Sequence, residues 1–228
     1  NKKFIFRTGH GRLFWRVKTF FSEEVLMIKF LNNLKSDDIF CDIGANIGIY
    51  SIPASYFVKK TYSFEIDIQN VQLLSENIYL NNLDKKIYIF PFGVAEKNEL
   101  LDVYFRSFSK GEALNNMREP SPELNNEFKG YIRKQLVLNL DEFIEKNNLE
   151  YPTKIKIDVD GSEYLVFKGS TKTIFNCKEL YIEINRDITQ NEKLIKEIYD
   201  LGFNLVEKVS NNNPSHGKIE MFYFSKKI

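Results

Sequence analysis

Residues 38–51 read DIFCDIGANIGIYS, and residues 61–67 read TYSFEID. The apolar run before the first glycine predicts a short buried strand. Gly44 and Gly48 allow a tight turn in which the backbone can be approached closely, and the apolar stretch after the turn predicts a helix over residues 47–57. The second segment predicts another strand. Strand, glycine turn, helix and strand in this order are typical of an α/β fold with a parallel sheet.

An acidic side chain accompanies each of these two predicted strands. Glu65 follows Asp42 by roughly 20 residues, the offset at which doubly wound folds present an acid to a ribose diol. The glycine pattern, D-x-G-x-N-x-G, differs from the G-x-G-x-x-G pattern that sets a pyrophosphate on a helix N-terminus. A carboxylate at Asp42 repels phosphate, so S-adenosylmethionine, with its sulfonium, ammonium and ribose, fits the predicted pocket. The alternative is a turn that merely joins a strand to a helix.

The composition indicates a sizeable core and no broad basic surface. The chain has 228 residues, 43% hydrophobic and 14% aromatic, and a formal net charge of +1. The length predicts one domain, residues 1–228, with insertions, and the charge argues against a nucleic-acid partner. Cys41 and Cys177 are predicted to be buried thiols. Without an apolar run of spanning length or a signal peptide pattern, we expect no membrane span and a cytoplasmic location. A homodimer is left open.

The rest of the sequence predicts strands that alternate with helices. Strands are predicted at residues 86–92, 154–158, 180–185, 203–208 and 219–225, and helices at 22–34, 69–80, 164–174 and 188–201. Residues 100–140 break this alternation, which predicts an inserted antiparallel flap. Residues 1–35 are predicted to form an N-terminal cover and helix. The alternative is a hairpin around Gly9, or a lid or acceptor-binding arm that uses the cations and rings of residues 1–21, which include Arg7, His10, Arg12, Trp15 and Arg16.

A second motif lies at residues 154–163, which read KIKIDVDGSE. Asp158 follows the predicted strand, and Glu183 and Asn185 end the next one. Because the carboxyl ends of strands in an open α/β sheet face the same crevice, these three side chains are predicted to lie together. Their oxygen atoms could bind Mg²⁺, which prefers hard ligands.

The alternative to a metal is a catalytic base. Asp158, His10 or His216 could remove the proton of a hydroxyl without a metal ion. Asp160 and Glu163 are predicted to cap the following helix, since acids beside a helix N-terminus need no catalytic reason.

At residues 42–50, 63–65 and 154–163, the sequence resembles the FkbM family of S-adenosylmethionine-dependent O-methyltransferases. The blocks occur in family order, with a leucine–aspartate element at residues 140–141, and the resemblance covers about residues 22–183. Asp67 stands where the family often has proline, and Asp160 replaces a common glutamate.

The resemblance implies a class I methyltransferase fold of the Rossmann-like α/β class. We expect a seven-stranded, mostly parallel sheet with a reversed last strand, helices on both faces and an insertion between the third and fourth core strands. It also implies methyl transfer to a hydroxyl, commonly on a sugar or a secondary metabolite.

This fold implies roles for the motif residues. Glu65 would accept hydrogen bonds from both ribose hydroxyls, and the turn after Asp42 would hold the aminocarboxypropyl arm. Residues 92–95 would frame the adenine. The implied cofactor-binding residues are Asp42, Gly44, Asn46, Gly48, Glu65, Ile66, Gly93, Val94 and Asp158.

The leading functional hypothesis is an O-methyltransferase that acts on a carbohydrate, such as a nucleotide-activated sugar or a unit of a surface or capsular polysaccharide. One alternative is methylation of a non-sugar secondary metabolite. Another is a nucleoside-binding protein without methyl transfer. Methylation of RNA or protein is disfavoured by the near-zero net charge, and NAD binding by the missing third glycine.

Overall fold

The computed structural model describes residues 3–8, 11–120, 128–210 and 218–226. Its strands are β1 (Ile39–Ile43), β2 (Lys60–Phe64), β3 (Ile87–Phe90), β4 (Gly93–Val94), β5 (Glu99–Phe105), β6 (Asn116–Met117), β7 (Tyr131–Leu138), β8 (Lys154–Ile157), β9 (Glu179–Asn185), β10 (Asn204–Ser210) and β11 (Ile219–Ser225). Its helices are α1 (Gly11–Glu23), α2 (Val25–Asn32), α3 (Ser51–Ser55), α4 (Ile68–Leu80), α5 (Leu140–Lys146), α6 (Glu163–Lys168), α7 (Thr171–Asn176) and α8 (Gln190–Asp200).

The main sheet has seven strands in the order β10-β11-β9-β8-β1-β2-β3. The strands from β9 to β3 in this order pair in parallel, whereas β11 runs antiparallel to both β9 and β10. The predicted seven-stranded sheet with a reversed last strand is therefore confirmed.

The central strand β1 is buried along its whole length because both faces of the sheet are covered. Ile39, Cys41 and Ile43 belong to the larger hydrophobic cluster on one face, which also contains residues of α5 to α8. Phe40 points to the other face and packs with Phe30 of α2. This burial explains why a largely apolar run, in which Asp42 is the one polar residue, forms the strand.

A second sheet lies between the third and fourth core strands, as the predicted insertion requires. Its order is β4-β7-β5-β6, with β5 antiparallel to both β6 and β7. The strand β4 connects this sheet to the end of β3 and pairs in parallel with β7. The second sheet thus stands beside the carboxyl ends of β1, β2 and β3.

Two predicted helices have different bounds in the structure. Instead of a helix over residues 47–57, a turn precedes the short α3, because Asn46 and Gly48 adopt left-handed φ angles of 49° and 87°. Ser22 does not open a helix. It lies within α1, and its hydroxyl donates to the carbonyl of Thr19 at 2.9 Å. Residue 9, around which a hairpin was the alternative, lies outside the described residues, and α1 begins directly after this gap.

The helix predicted over residues 164–174 is divided into α6 and α7. The carboxylate of Asp141, on α5, accepts hydrogen bonds from the N–H groups of Lys172 and Thr173 at 2.9 and 2.7 Å. A contact between residues so distant in sequence sets the start of α7.

The described helices do not include one whose length and apolar character would suit a membrane crossing. Cys41 and Cys177 are buried free thiols, as predicted.

Replacement of Phe30 by alanine is expected to destabilise the protein by about 3–5 kcal/mol, the usual cost of removing a core aromatic. The ring is fully buried and contacts Phe40, Tyr181 and Tyr223, with ring centroids 5.4 to 6.1 Å apart. Urea denaturation measures the change. Tyr79→Ala is the control, since 79% of Tyr79 is exposed and surface changes usually cost less than about 0.5 kcal/mol. Equal effects of the two substitutions would contradict the described packing.

Candidate active site

A cleft of about 870 Å³, part of it open to solvent, lies at the carboxyl ends of β1, β2 and β8. The second sheet forms one of its walls, and α1 contributes Arg16 to its rim. Of the sequence-predicted cofactor residues, those on the cleft wall are Gly44, Asn46, Glu65, Ile66, Gly93, Val94 and Asp158. The structure therefore brings most of that set together at the predicted edge of the sheet.

The turn after β1 depends on the absence of a side chain at Gly44. Its φ angle is +82°, and a Cβ atom built there would lie 1.9 Å from the carbonyl oxygen of Asp158. The N–H groups of Gly44 and Ala45 both donate to the carbonyl of Phe64, at 3.0 and 2.9 Å. These contacts bring the first turn against the ends of β2 and β8, which gives the floor of the cleft its shape.

Beneath this turn lies the fully buried ammonium group of Lys156. It donates to the carbonyl of Gly44 at 2.9 Å and lies 3.3 Å from a carboxylate oxygen of Asp42 and 3.3 Å from one of Asp158. Burial alone would lower the pKa of Lys156. The two carboxylates more than offset burial, so the pKa lies above its usual value and the lysine stays charged.

Asp42 and Gly48 lie below the cleft and do not form part of its wall. The carboxylate of Asp42 is fully buried and accepts a 2.6 Å hydrogen bond from the hydroxyl of Ser51. Gly48 faces Leu74, whose Cδ1 atom would lie 2.6 Å from a Cβ at that position. Both residues support the glycine turn from beneath, and their expected contacts with a cofactor stay predictions.

Glu65 is held at the cleft wall by backbone N–H groups. One carboxylate oxygen accepts from Asn46 and the other from Asp67, each at 2.7 Å. Burial raises the pKa of Glu65 to about 7, although these two hydrogen bonds act to lower it. A carboxylate has about four acceptor positions, so both oxygens retain a lone pair for a further donor.

The wall of the cleft opposite the seven-stranded sheet contains residues that the sequence did not predict. Glu112, Asn115 and Met117 come from the loop and short strand between β5 and β7. The side-chain amide of Asn70 accepts from the N–H of Gly111 at 2.6 Å and donates to the carbonyl of Glu112 at 3.1 Å. The sequence of this segment has no periodicity. The side chain that holds this segment by hydrogen bonds, Asn70, lies on a different element, α4.

Three carboxylates meet near the rim of the cleft. Single oxygen atoms of Asp158, Asp160 and Glu183 all lie within 4.8 Å of one another. Burial and the neighbouring Asp158 raise the pKa of Asp160 to about 6. Oxygen donors of this kind suit Mg²⁺ or Ca²⁺, and Lys156 already supplies one positive charge beside Asp158.

Asp160 does not cap a helix as the sequence predicted. It adopts a left-handed φ angle of 55°, lines the cleft and accepts a 2.7 Å hydrogen bond from the N–H of Leu114. Glu163, by contrast, accepts from the N–H groups of Val159 and Gly161 before α6, at 3.3 and 3.0 Å. Gly161 and the left-handed φ angle of Asp160 together direct the carboxylate of Asp160 toward the second sheet.

Asn185, the third predicted metal ligand, is not part of this group. The amide oxygen of Asn185 accepts from the N–H of Asp187 at 2.9 Å, so it organises the turn after β9. His10 and His216 lie outside the described residues. Asp158 and Glu183 are the two predicted metal ligands that the structure does place together.

The sequence profile of the methyltransferase FkbM domain matches residues 42–218. The chain belongs to the FkbM methyltransferase family. Members of this family are S-adenosylmethionine-dependent methyltransferases, and the placement of Glu65 beside the glycine turn agrees with such a cofactor.

This FkbM-family chain is similar to several known methyltransferases. It is 23% identical to the hexuronic acid methyltransferase AglP of Haloferax volcanii over 189 residues, which cover 80% of this chain and 72% of that protein. A tRNA (guanine(37)-N(1))-methyltransferase of Arabidopsis thaliana is 28% identical over 85 residues, 37% of this chain and 13% of that protein.

The fold of the FkbM methyltransferase of Methylobacillus flagellatus KT is also similar, with a TM-score of 0.60 and 17% identity. The alignment covers 91% of this chain and 48% of that protein, so this chain spans about half of its length.

Replacement of Lys156 by methionine is expected to cost about 3–5 kcal/mol of stability, because it leaves the buried Asp42 without its counter-charge. Chemical denaturation of Lys156→Met measures this loss. The control is Lys59→Met, which removes an exposed ion pair with Glu150, and such pairs contribute about 0–1 kcal/mol. A loss no larger than that of the control would show that the buried charges do not depend on Lys156.

Proposed function

We propose that this FkbM-family protein transfers the methyl group of S-adenosylmethionine to a hydroxyl of a carbohydrate. A nucleotide-activated sugar and a unit of a surface polysaccharide are the acceptors that we favour. The observation that carries the cofactor part is the Glu65 carboxylate, which is fixed by two N–H groups at the cleft wall. The hexuronic acid named for AglP supports a sugar acceptor.

The cleft offers a distinct surface to each part of the cofactor. The ribose hydroxyls would donate to Glu65, and the adenine would pack against Ile66, Gly93 and Val94 on the apolar side. The aminocarboxypropyl arm would lie along the turn at Gly44, toward Asp158. The negative charge of Glu65 and Asp158 favours the sulfonium and ammonium groups.

The acceptor hydroxyl must lose its proton as the methyl group is transferred. Asp158 lies on the cleft wall and could accept this proton. The three-carboxylate group of Asp158, Asp160 and Glu183 could instead hold Mg²⁺, which would lower the pKa of a bound hydroxyl.

Binding of S-adenosylhomocysteine is expected to be about tenfold tighter at pH 8 than at pH 6. The ribose hydroxyls favour the ionised form of Glu65. Its pKa of about 7 in the free protein means that a proton must be released below pH 7, so the affinity rises with pH through that range. Isothermal titration calorimetry at both pH values measures the effect.

Two variants test the assignment of Glu65. Glu65→Gln should lose most of the pH dependence, and Glu65→Ala should weaken binding by about 1.5–3 kcal/mol, the usual contribution of hydrogen bonds to a charged group. Glu76→Gln, on an exposed ion pair of α4, is the control. Unchanged affinity in Glu65→Ala would refute the ribose assignment. A protein that binds the ligand but methylates no sugar would favour the nucleoside-binding alternative.

If the carboxylate group holds Mg²⁺, the ion should raise the melting temperature of the S-adenosylhomocysteine complex, and EDTA should reverse the rise. Asp160→Ala and Glu183→Ala should each abolish the shift, because each removes one carboxylate ligand. Glu192→Gln, an exposed acid on α8, should not. The absence of any Mg²⁺ effect in the unaltered protein would leave Asp158 as a base without a metal.

A further inference from the structure

A second, outer groove of about 370 Å³, open to solvent, adjoins the cofactor cleft. It lies between α1 and the end of the glycine turn. Arg16, Ile49 and Tyr50 line both cavities. The two cavities therefore adjoin where α1 contributes Arg16.

Arg16 places a positive charge where the cleft and the outer groove meet, beside charged residues that are otherwise acidic. It is the cationic side chain on the described walls of both cavities, whereas Glu65, Glu112, Asp158 and Asp160 also line the cleft. Within the described part of the chain, no carboxylate lies within 4.0 Å of its guanidinium group. A guanidinium presents a planar fork of donors that matches a carboxylate or a phosphate.

Trp15 precedes Arg16 on α1 and lines the outer groove with 53% of its surface exposed. An aromatic ring with an apolar face and a neighbouring cation can hold a ring-shaped ligand that carries a negative group. Glu24 also lines this groove, so Arg16 is the group on its described wall that attracts an anion.

We propose that the outer groove binds the acceptor and that the acceptor is a sugar bearing an anionic group, either a carboxylate or a phosphate. Arg16 holds the anion, and Trp15 packs against the sugar ring. The inference rests on the proposed methyl transfer to a carbohydrate. The competing occupant of Arg16 is the carboxylate of the cofactor itself, which the experiment separates from the acceptor.

Trp15 is the single tryptophan of the chain, so tryptophan emission reports on this groove. The protein saturated with S-adenosylhomocysteine is titrated with glucuronic acid, glucose 6-phosphate and glucose. We expect saturable changes with one or both anionic sugars, at least tenfold tighter than with glucose. The preferred anionic sugar identifies the carboxylate or the phosphate as the recognised group. Trp15→Phe should remove the signal.

Arg16→Ala should weaken binding of the anionic sugar at least tenfold and leave the affinity for S-adenosylhomocysteine within twofold. Arg16→Lys should restore part of the sugar affinity. The matched control is Lys18→Ala, which removes an exposed cation of the same helix that lines neither cavity.

Three results would overturn the inference. They are equal binding of glucose and the anionic sugars, no response to any of them, and a loss of S-adenosylhomocysteine affinity in Arg16→Ala that matches the loss of sugar affinity. The last result would assign Arg16 to the cofactor. Failure of S-adenosylhomocysteine to bind the unaltered protein would instead refute the proposed function, so the two failures are distinguishable.

Discussion

The positive charge of Lys156 is the constraint on which the site depends. A lysine without solvent exposure requires nearby counter-charges. Asp42 on β1 and Asp158, directly after the neighbouring parallel strand β8, supply them. The same ammonium binds the carbonyl of Gly44. One buried group therefore fixes the spacing of two strand ends and the position of the turn between β1 and α3.

The two carboxylates beside Lys156 have different surroundings. Asp42 faces the interior and balances Lys156, whereas Asp158 shares the lysine and also reaches the cleft wall. Asp42, the acid of the glycine motif, therefore supports the turn. Asp158, which follows the neighbouring strand β8, faces the cleft and is available to a ligand. A motif residue can therefore support a cleft without forming part of its wall.

The predictable parts of the structure are those that local sequence determines. The bounds of β1 and β11 follow from largely apolar runs that end at glycine or polar residues, and the position of Glu65 follows from its distance to the glycine turn. The unpredicted parts depend on distant partners. The wall near Glu112 is placed by Asn70, and Asp160 is turned by a left-handed angle and a hydrogen bond from Leu114.

Two buried carboxyl groups, Glu65 on the cleft wall and Glu163 at the start of α6, carry a cost in stability. Burial raises the pKa of both Glu65 and Glu163 to about 7, above the range of a free carboxyl. Between the free and the raised pKa, the folded protein holds more protons than the unfolded chain, so ionisation of these groups lowers stability as the pH rises toward 7. A fold selected for stability alone would not retain them. For Glu65, the proposed cofactor would offset the cost, because its ribose donors and its positive charge would favour the ionised carboxylate. Under the proposed function, the stability lost at Glu65 is restored when the cofactor binds.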